Sequence, residues 1–324
     1  MDERFALHRY KSTSHAAVVG GPASLPSAGP GPHKGRAVMR IASRLFCGAI
    51  FLLACVGASG ALADTSEGTV PSTDGVPIHY TVSGNGLPAL LFIHGWSCDG
   101  TYWDGQVAAF APAHRVVTVD LAGHGQSGRD RKEWSIEAFG QDVRTVVEKL
   151  ALPRVVLIGH SMGGHVAVAA ANVLPGRVVA VIGVDTMQDA ERVVTPEMLA
   201  PLIAGMKADF PAVTKQFVAQ MFPAGADSAL VARTAAHMAS APPAIAIPVF
   251  QSIFAYDVKA GFAGVKAPIR EINADRNPTN IAGNRKYAPD FDAVILAGVG
   301  HFPQLEKPVV FDAALAKVLA EVTK

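Results

Sequence analysis

Short apolar runs recur along this chain, and the stretches between them have the length and spacing of helices. A strand with alternating pattern is predicted over 78–84. The other strand candidates, most of them almost continuously apolar, are 89–95 (ALLFIHG), 115–120 (RVVTVD), 154–159 (RVVLIG), 178–185 (VVAVIGVD), 267–275 (APIREINAD) and 292–298 (DAVILAG). Apolar strands separated by helices are typical of a mostly parallel sheet with helices on both faces. The sequence therefore predicts an α/β fold.

The helical segments divide into two groups. Those between or after the strands are predicted over 101–110, 135–150 (with Ser135 as its cap), 161–174 and 308–322. The pattern changes over 187–262, where helical segments are joined by Pro-rich turns. This change predicts a helical insertion in an α/β core, which comprises 64–186 and 263–324.

Residues 1–63 have the pattern of an extension that ends in a signal peptide. Arg40 and Arg44 precede an apolar stretch over 45–56, and an A-x-A cleavage pattern ends at Ala63. We therefore expect translation to start at Met39, cleavage after Ala63, and export to the periplasm or the medium.

Two alternatives to this cleavage concern the same apolar stretch. A single membrane anchor is one of them, but the stretch is short for a span, so we expect no stable membrane span in the mature form. Lipidation at Cys55 is the other, because LLAC loosely resembles a lipobox.

Charge and motif content exclude several classes of partner. The formal net charge is +1, and no basic run is present, so we do not expect nucleic acid to bind. The sequence has no H-E-x-x-H motif and no paired Cys/His spacing, so no metal is predicted. No G-x-G-x-x-G motif follows a strand, so no dinucleotide or other cofactor is predicted. The expected partner is a small molecule.

The segment GHSMGG (159–164) places Ser161 between a predicted strand and a predicted helix. A G-x-S-x-G motif in this context forms a sharp turn that holds the Ser hydroxyl above the sheet, as a nucleophile requires. The two flanking glycines fit the close approach of strand and helix. The alternative is an ordinary serine that caps the helix.

A nucleophilic serine needs a base, and His301 is the best placed of the eleven histidines. It follows the last strand, at the sheet edge where sites form in parallel sheets. His160 and His165 flank the serine, but we expect their side chains to point elsewhere. The alternative for His301 is a loop histidine with no role.

Two carboxylates compete to orient His301. Asp275 ends the preceding strand, and the chain order Ser161, Asp275, His301 matches the order expected for this type of site. Asp185 ends the strand after the serine turn and reaches the same edge. Asp275 is our first choice and Asp185 is the alternative acid.

Backbone N–H groups are expected to bind the oxyanion that forms during acyl transfer. One is the amide of Met162, which follows the nucleophile. The other is the amide of Trp96, in the loop after the 89–95 strand.

These motifs together resemble those of the α/β-hydrolase superfamily, over nearly all of residues 70–324. The segments that carry the resemblance are HGW (94–96), DLAGHGQS (120–127), GHSMGG (159–164), NAD (273–275) and GVGHF (298–302). The resemblance implies an eight-stranded, mostly parallel sheet, a cap over 187–262 and a structural role for His124. It points to the branch of small esterases, haloperoxidase-like perhydrolases and C–C bond hydrolases.

The resemblance also implies the reaction class. Haloalkane dehalogenases and epoxide hydrolases of this fold carry Asp where this chain has Ser161, so an acyl-enzyme is expected here. The predicted function is an exported serine hydrolase that cleaves carboxylic esters. The alternatives are a C–C bond hydrolase or a perhydrolase with the same triad, and a hydrolase-like ligand-binding protein.

The predicted cap is rich in Met and Phe, which form either an apolar roof over a pocket for acyl or aryl groups or the cap's own core. These residues are Met187, Met198, Met206, Met221, Met238, Phe210, Phe217, Phe222, Phe250 and Phe254.

Overall fold

The computed structural model describes residues 65–324, in which eight strands form one sheet with the order β1-β2-β4-β3-β5-β6-β7-β8. The strands are β1 (Thr65–Pro71), β2 (Pro77–Ser83), β3 (Ala89–Ile93), β4 (Val116–Val119), β5 (Val155–His160), β6 (Val178–Val184), β7 (Ile269–Ala274) and β8 (Asp292–Leu296). β2 is antiparallel to both of its neighbours, and the remaining adjacent pairs are parallel. The predicted mostly parallel α/β sheet is confirmed.

Eleven helices occupy the described residues. They are α1 (Asp104–Phe110), α2 (Ile136–Lys149), α3 (Met162–Val173), α4 (Pro196–Ala208), α5 (Phe210–Ala219), α6 (Ser228–Ala239), α7 (Pro243–Ala255), α8 (Val258–Gly264), α9 (Ile281–Asn284), α10 (Pro303–Glu306) and α11 (Pro308–Val322). Ser135 caps α2 as predicted, since its Oγ accepts a hydrogen bond from the backbone N of Ala138 at 3.1 Å.

The central strands are buried on both faces, which explains their continuous apolar sequences. Along β3 and β5, Leu91 and Leu157 face one core layer, while Leu90 and Val156 face the other. α2, α3 and α8 cover the first face and α1 and α11 cover the second. Two covered faces leave the carboxyl ends of the parallel strands as the edge where loops can form a site.

Two local features differ from the sequence prediction. β1 is absent from the prediction because its sequence, TSEGTVP, is polar and largely exposed, as suits an edge strand. The helix predicted over 101–110 begins as a 3-10 turn, Gly100–Trp103, which Asp99 caps through the backbone N of Thr101, and continues as α1.

Five helices, α4 to α8, separate β6 from β7 where the cap was predicted. α8 packs against α3 of the core: Asn172 Nδ2 donates to the carbonyl oxygen of Gly261 at 3.0 Å. The predictions for residues 1–63, including the cleavage site and Cys55, lie outside the described residues.

Within residues 65–324, no single helix combines the length and hydropathy of a membrane span. α6 and α7 reach both criteria only as a pair, and they are bent by 104° at the break between them. In the same part of the chain, no group of three or more His, Cys, Asp or Glu side chains could hold a metal ion.

Candidate active site

Ser161 lies in the sharp turn between β5 and α3, with φ 53° and ψ −119°. A positive φ is strained for a residue with a side chain, so the surrounding structure must enforce this turn. Cβ atoms at Gly159 and Gly163 would collide with the carbonyl oxygens of Gly163 and Ile93, so only glycine fits at both positions. The Ser161 side chain makes no capping hydrogen bond, which argues against a helix-capping serine.

His301 is paired with Asp185. Its Nδ1 lies 2.6 Å from Asp185 Oδ2, and Asp185 Oδ1 accepts a hydrogen bond from the backbone N of Ala274 at 3.0 Å. Asp185 is 6% exposed and follows β6, next to the strand that leads to Ser161. Both oxygens of this buried carboxylate are thus hydrogen-bonded, which fixes its orientation toward His301.

The prediction that Asp275 orients His301 is wrong in this structure. Asp275 is exposed, and both of its carboxylate oxygens lie 3.2 Å from the backbone N of Gly298. It therefore fastens the end of β7 to the loop after β8. Asp185, the alternative acid, occupies the place beside His301.

The environment of Asp185 favours its charged form. Burial by itself raises the pKa of a carboxyl group, but the hydrogen bond and charge of His301 and the backbone N–H of Ala274 oppose this effect. Their sum holds the pKa of Asp185 below its usual range. Asp185 is therefore negatively charged at neutral pH and able to stabilise a protonated His301.

The backbone of His301 is held from two sides. Its N–H donates to the carbonyl oxygen of Met221, between α5 and α6, at 3.0 Å. Its carbonyl oxygen lies 2.7 Å from His160 Nε2. Burial and the charge of His301 lower the pKa of His160 to about 3, so the His160 ring is neutral and donates from Nε2.

Glu306, the last residue of α10, holds the same loop in place. Its carboxylate accepts hydrogen bonds from the backbone N of Gly300 at 2.8 Å and of Phe302 at 3.0 Å, one residue on each side of His301. These contacts set the backbone from which the imidazole ring projects. Supporting hydrogen bonds of this kind hold a reacting group in its productive geometry.

The two predicted oxyanion donors lie beside Ser161. Met162 is the first residue of α3, where an amide has no carbonyl partner within the helix. Trp96 follows Gly95, and a Cβ at Gly95 would lie 3.3 Å from Ser161 Cβ, so this loop passes close to the serine. The Trp96 side chain instead anchors the cap, because its Nε1 donates to the carbonyl oxygen of Ala246 on α7 at 2.7 Å.

The histidines dismissed as bases are engaged in structural contacts. His165 Nδ1 lies 3.4 Å from the carbonyl oxygen of Ser161, and burial lowers the pKa of His165 to about 4. His124 is buried against His94, with ring centroids 5.0 Å apart, and its Nδ1 lies 3.0 Å from the carbonyl oxygen of Ala122. His124 is therefore part of the packed turn after β4.

A cavity of about 180 Å³ borders Ser161 and His301. Its remaining walls are almost entirely apolar and come from the core loops and the cap: Gly95, Trp96, Cys98, His160, Phe217, Met221, Met238, Phe250, Ile253, Phe254 and Phe302. Five of the ten Met and Phe residues named for the cap line the cavity: Met221, Met238, Phe217, Phe250 and Phe254. Four others are buried in the core without lining the cavity, namely Met187, Met206, Phe210 and Phe222, and Met198 is exposed.

Glu271 is a buried carboxyl group that sequence analysis missed. It lies on β7 opposite Gly183, which has no side chain to occupy the space of the carboxyl group, and neither of its oxygens has a hydrogen-bond partner among the described residues. Burial, and then the negative charge of Asp185, raise the pKa of Glu271 well above its usual value. The Glu271 carboxyl group is therefore protonated in the folded protein at pH values where the same group is already ionised in the unfolded chain.

We expect Glu271→Gln to stabilise the protein increasingly as the pH rises above the unfolded-state pKa, about 4.3. Above this value the unfolded wild-type chain releases a proton that the folded state retains, so wild-type stability falls by up to about 1.4 kcal/mol per pH unit. The fall ends once the pH exceeds the folded-state pKa. Urea unfolding of both proteins from pH 4 to pH 8 measures this difference, and a difference that does not change with pH would refute the prediction.

The sequence holds a signal for Asp185 and one for Glu306. Asp185 follows a wholly apolar run, VVAVIGV, whereas the run before Asp275 contains Arg270, Glu271 and Asn273. A carboxylate that follows an uninterrupted apolar strand is the better candidate for a buried partner. Glu306 lies in the short helix after His301, where an acidic side chain can accept the free backbone amides of a helix start.

Comparisons with known proteins identify the family and its fold. The model of the Alpha/beta hydrolase family matches residues 90–314. A non-heme chloroperoxidase of Streptomyces lividans is 39% identical over 115 residues, which are 34% of this chain and 41% of that protein. An uncharacterized protein of Mycobacterium tuberculosis is 38% identical over 96 residues, which are 30% of this chain and 28% of that protein. The matches thus span less than half the length of these curated relatives.

A solved structure is similar over a larger part of the chain. It is described as Est816, an N-acyl homoserine lactone degrading enzyme, and is 26% identical with a TM-score of 0.67. The similarity covers 77% of this chain and 99% of the other.

Proposed function

Because the chain belongs to the alpha/beta hydrolase family, we propose that it is a serine hydrolase that cleaves carboxylic esters through an acyl-enzyme. In this proposal Ser161 is the nucleophile, His301 is the general base and acid, and Asp185 is the orienting carboxylate. The backbone amides of Trp96 and Met162 form the oxyanion hole.

The observation that carries the proposal is the 2.6 Å contact of Asp185 with His301, which lines the same cavity as the strained Ser161. When the Nδ1–H of neutral His301 donates a hydrogen bond to Asp185, Nε2 carries no proton and is free to accept one. This is the tautomer that a general base for Ser161 requires. The charged state of Asp185 then stabilises the imidazolium that forms.

The reaction proceeds in two halves. His301 removes the proton of Ser161 as its Oγ attacks the ester carbonyl carbon, and the two amides bind the developing oxyanion. Collapse of this intermediate breaks the bond to the alcohol, which takes the proton from His301. In the second half, His301 removes a proton from water, the water attacks the acyl-enzyme, and Ser161 is released with its proton.

The apolar walls of the cavity favour a substrate whose acyl or aryl group is apolar. Phe217, Phe250 and Phe302 give the space beside Ser161 an apolar lining, and an apolar group bound there would displace water. Exclusion of water strengthens the interaction of the oxyanion with its amide donors. The similar Est816 is described as degrading an N-acyl homoserine lactone, and a lactone is a cyclic ester.

The proposal is tested by turnover and by covalent labelling. We expect the full chain to hydrolyse p-nitrophenyl acetate and butyrate. A fluorophosphonate, which reacts with activated serines, is expected to add once and to be located on Ser161 by peptide mass spectrometry. A folded protein that neither hydrolyses any ester nor reacts with the phosphonate would overturn the proposal.

Perhydrolysis is a second candidate, favoured by the similarity to the non-heme chloroperoxidase. In this reaction hydrogen peroxide replaces water in the second half and attacks the acyl-enzyme, which yields a peracid and free Ser161. The two activities share every proposed residue. The ratio of peracid to acid formed from acetate esters in the presence of peroxide separates them.

We also propose that the protein is exported. The apolar stretch over 45–56 and the A-x-A pattern that ends at Ala63 support cleavage before Asp64. The enzyme would then act in the periplasm or the medium.

A further inference from the structure

An apolar groove of about 500 Å³ lies between α4 and α7, outside the cavity beside Ser161. Leu199, Ile203 and Ala204 form its α4 side, and Phe254 and Ala255 form its α7 side. Lys207 and Gln251 are the polar side chains among its lining residues. The groove is therefore suited to an apolar chain and offers no cluster of charges to a polar ligand.

Phe254 lines both the groove and the cavity beside Ser161. Its side chain is 38% exposed, and on its inner side its ring packs edge-on against Phe250 at 5.2 Å between centroids. Phe254 lies in the last turn of α7, and the next residue but one, Tyr256, is already extended. Because the ring is partly exposed and the groove lies on its outer side, it has space into which it can rotate.

The sizes of the two spaces indicate that they are used together. The cavity beside Ser161, about 180 Å³, is smaller than the ~300–1,000 Å³ of a typical small-molecule site. A short acyl group fits there, but a longer chain has to continue elsewhere. The groove beyond Phe254, about 500 Å³, supplies the missing volume.

We propose that this groove binds the long apolar chain of an ester substrate and that Phe254 is the gate between the groove and the cavity beside Ser161. The inference rests on the proposed ester hydrolysis and names its substrate class as esters with a linear apolar chain. Each methylene group buried in the groove strengthens binding by roughly fourfold, the equivalent of about 0.8 kcal/mol. Selectivity for long chains is then set by groove residues remote from the triad.

The first test fills the groove from the exposed side of α4. Ala204 lines the groove and Ala208 does not, although both are exposed on the same helix, so Ala204→Trp and Ala208→Trp form a matched pair. We expect Ala204→Trp to lower kcat/KM for p-nitrophenyl decanoate by at least about tenfold and to leave the acetate value unchanged. Ala208→Trp is expected to change neither value.

Phe254→Ala tests the gate and is expected to act in the opposite direction. Removal of the ring joins the two spaces permanently, so the ratio of kcat/KM for decanoate over acetate should rise. Unchanged selectivity in this variant, or equal effects of Ala204→Trp on both esters, would overturn the inference while the ester hydrolase proposal stands.

A binding measurement separates failure of the groove from failure of the proposed function. We expect sodium decanoate to bind the full chain with Ser161→Ala, and the added Ala204→Trp to weaken binding at least about tenfold by calorimetry. Added Ala208→Trp should have no such effect. Groove-dependent binding, with a wild-type protein that neither hydrolyses esters nor reacts with the phosphonate, would support the groove and refute the hydrolase. Decanoate binding that is absent, or insensitive to Ala204→Trp, would refute the groove.

Discussion

Ser161→Ala is expected to lower kcat for ester hydrolysis by a factor on the order of 10⁵ or more, because no other group can form the acyl-enzyme. The protein should remain folded. The substitution removes only the Ser161 hydroxyl, which makes no capping hydrogen bond that would stabilise α3. Comparison of kcat for p-nitrophenyl butyrate in the two proteins, with circular dichroism as the check on folding, measures the effect.

His301→Ala and the double variant provide the control for this experiment. If Ser161 and His301 act as one unit, the loss in the double variant is about the same as in Ser161→Ala alone, since a base without its nucleophile has nothing to activate. Losses that multiply would mean that the two side chains act independently. A Ser161→Ala protein that retains the wild-type rate would refute the acyl-enzyme mechanism.

The sheet and the turn at Ser161 could be predicted because each depends on local sequence. The continuous apolar runs require burial on both faces, and the glycines at 159 and 163 are the residues that allow β5 and α3 to approach closely. β1 could not be predicted, since its polar, exposed sequence is paired through its backbone to β2. Backbone pairing leaves little trace in the side chains of an edge strand.

The choice of carboxylate depended on three-dimensional placement that spacing does not encode. Asp185 and Asp275 both follow strands that end at the same edge, and β6 and β7 are neighbours in the sheet. The direction of each side chain depends on the turn after its strand. Asp185 has a φ of 45° and lies inward beside His301, whereas Asp275 lies outward against Gly298. The sequence pattern also could not predict contacts between distant segments, such as the hydrogen bond between Met221 and His301.

Asp185→Asn is expected to lower kcat by about 10⁴, and the hydrogen bonds of Asp185 explain why an isosteric change has so large an effect. Oδ1 accepts the backbone N–H of Ala274 at 3.0 Å, and an asparagine oxygen will keep this contact. The amide nitrogen then faces His301 and donates to Nδ1. The imidazole proton moves to Nε2, where it prevents acceptance of the proton from Ser161.

Asp275→Asn is the matched control for this substitution. Asp275 is exposed, and its carboxylate contacts the backbone N of Gly298, which an asparagine oxygen can still accept. The kcat of Asp275→Asn should therefore stay within about tenfold of the wild-type value, because the substitution only weakens one exposed hydrogen bond by removing the charge of its acceptor. A loss near 10⁴ in Asp275→Asn with an active Asp185→Asn would reverse the two roles and mean that the loop after β8 rearranges when substrate binds. The pair of kcat values, measured on p-nitrophenyl butyrate, thus decides which carboxylate serves His301 during turnover.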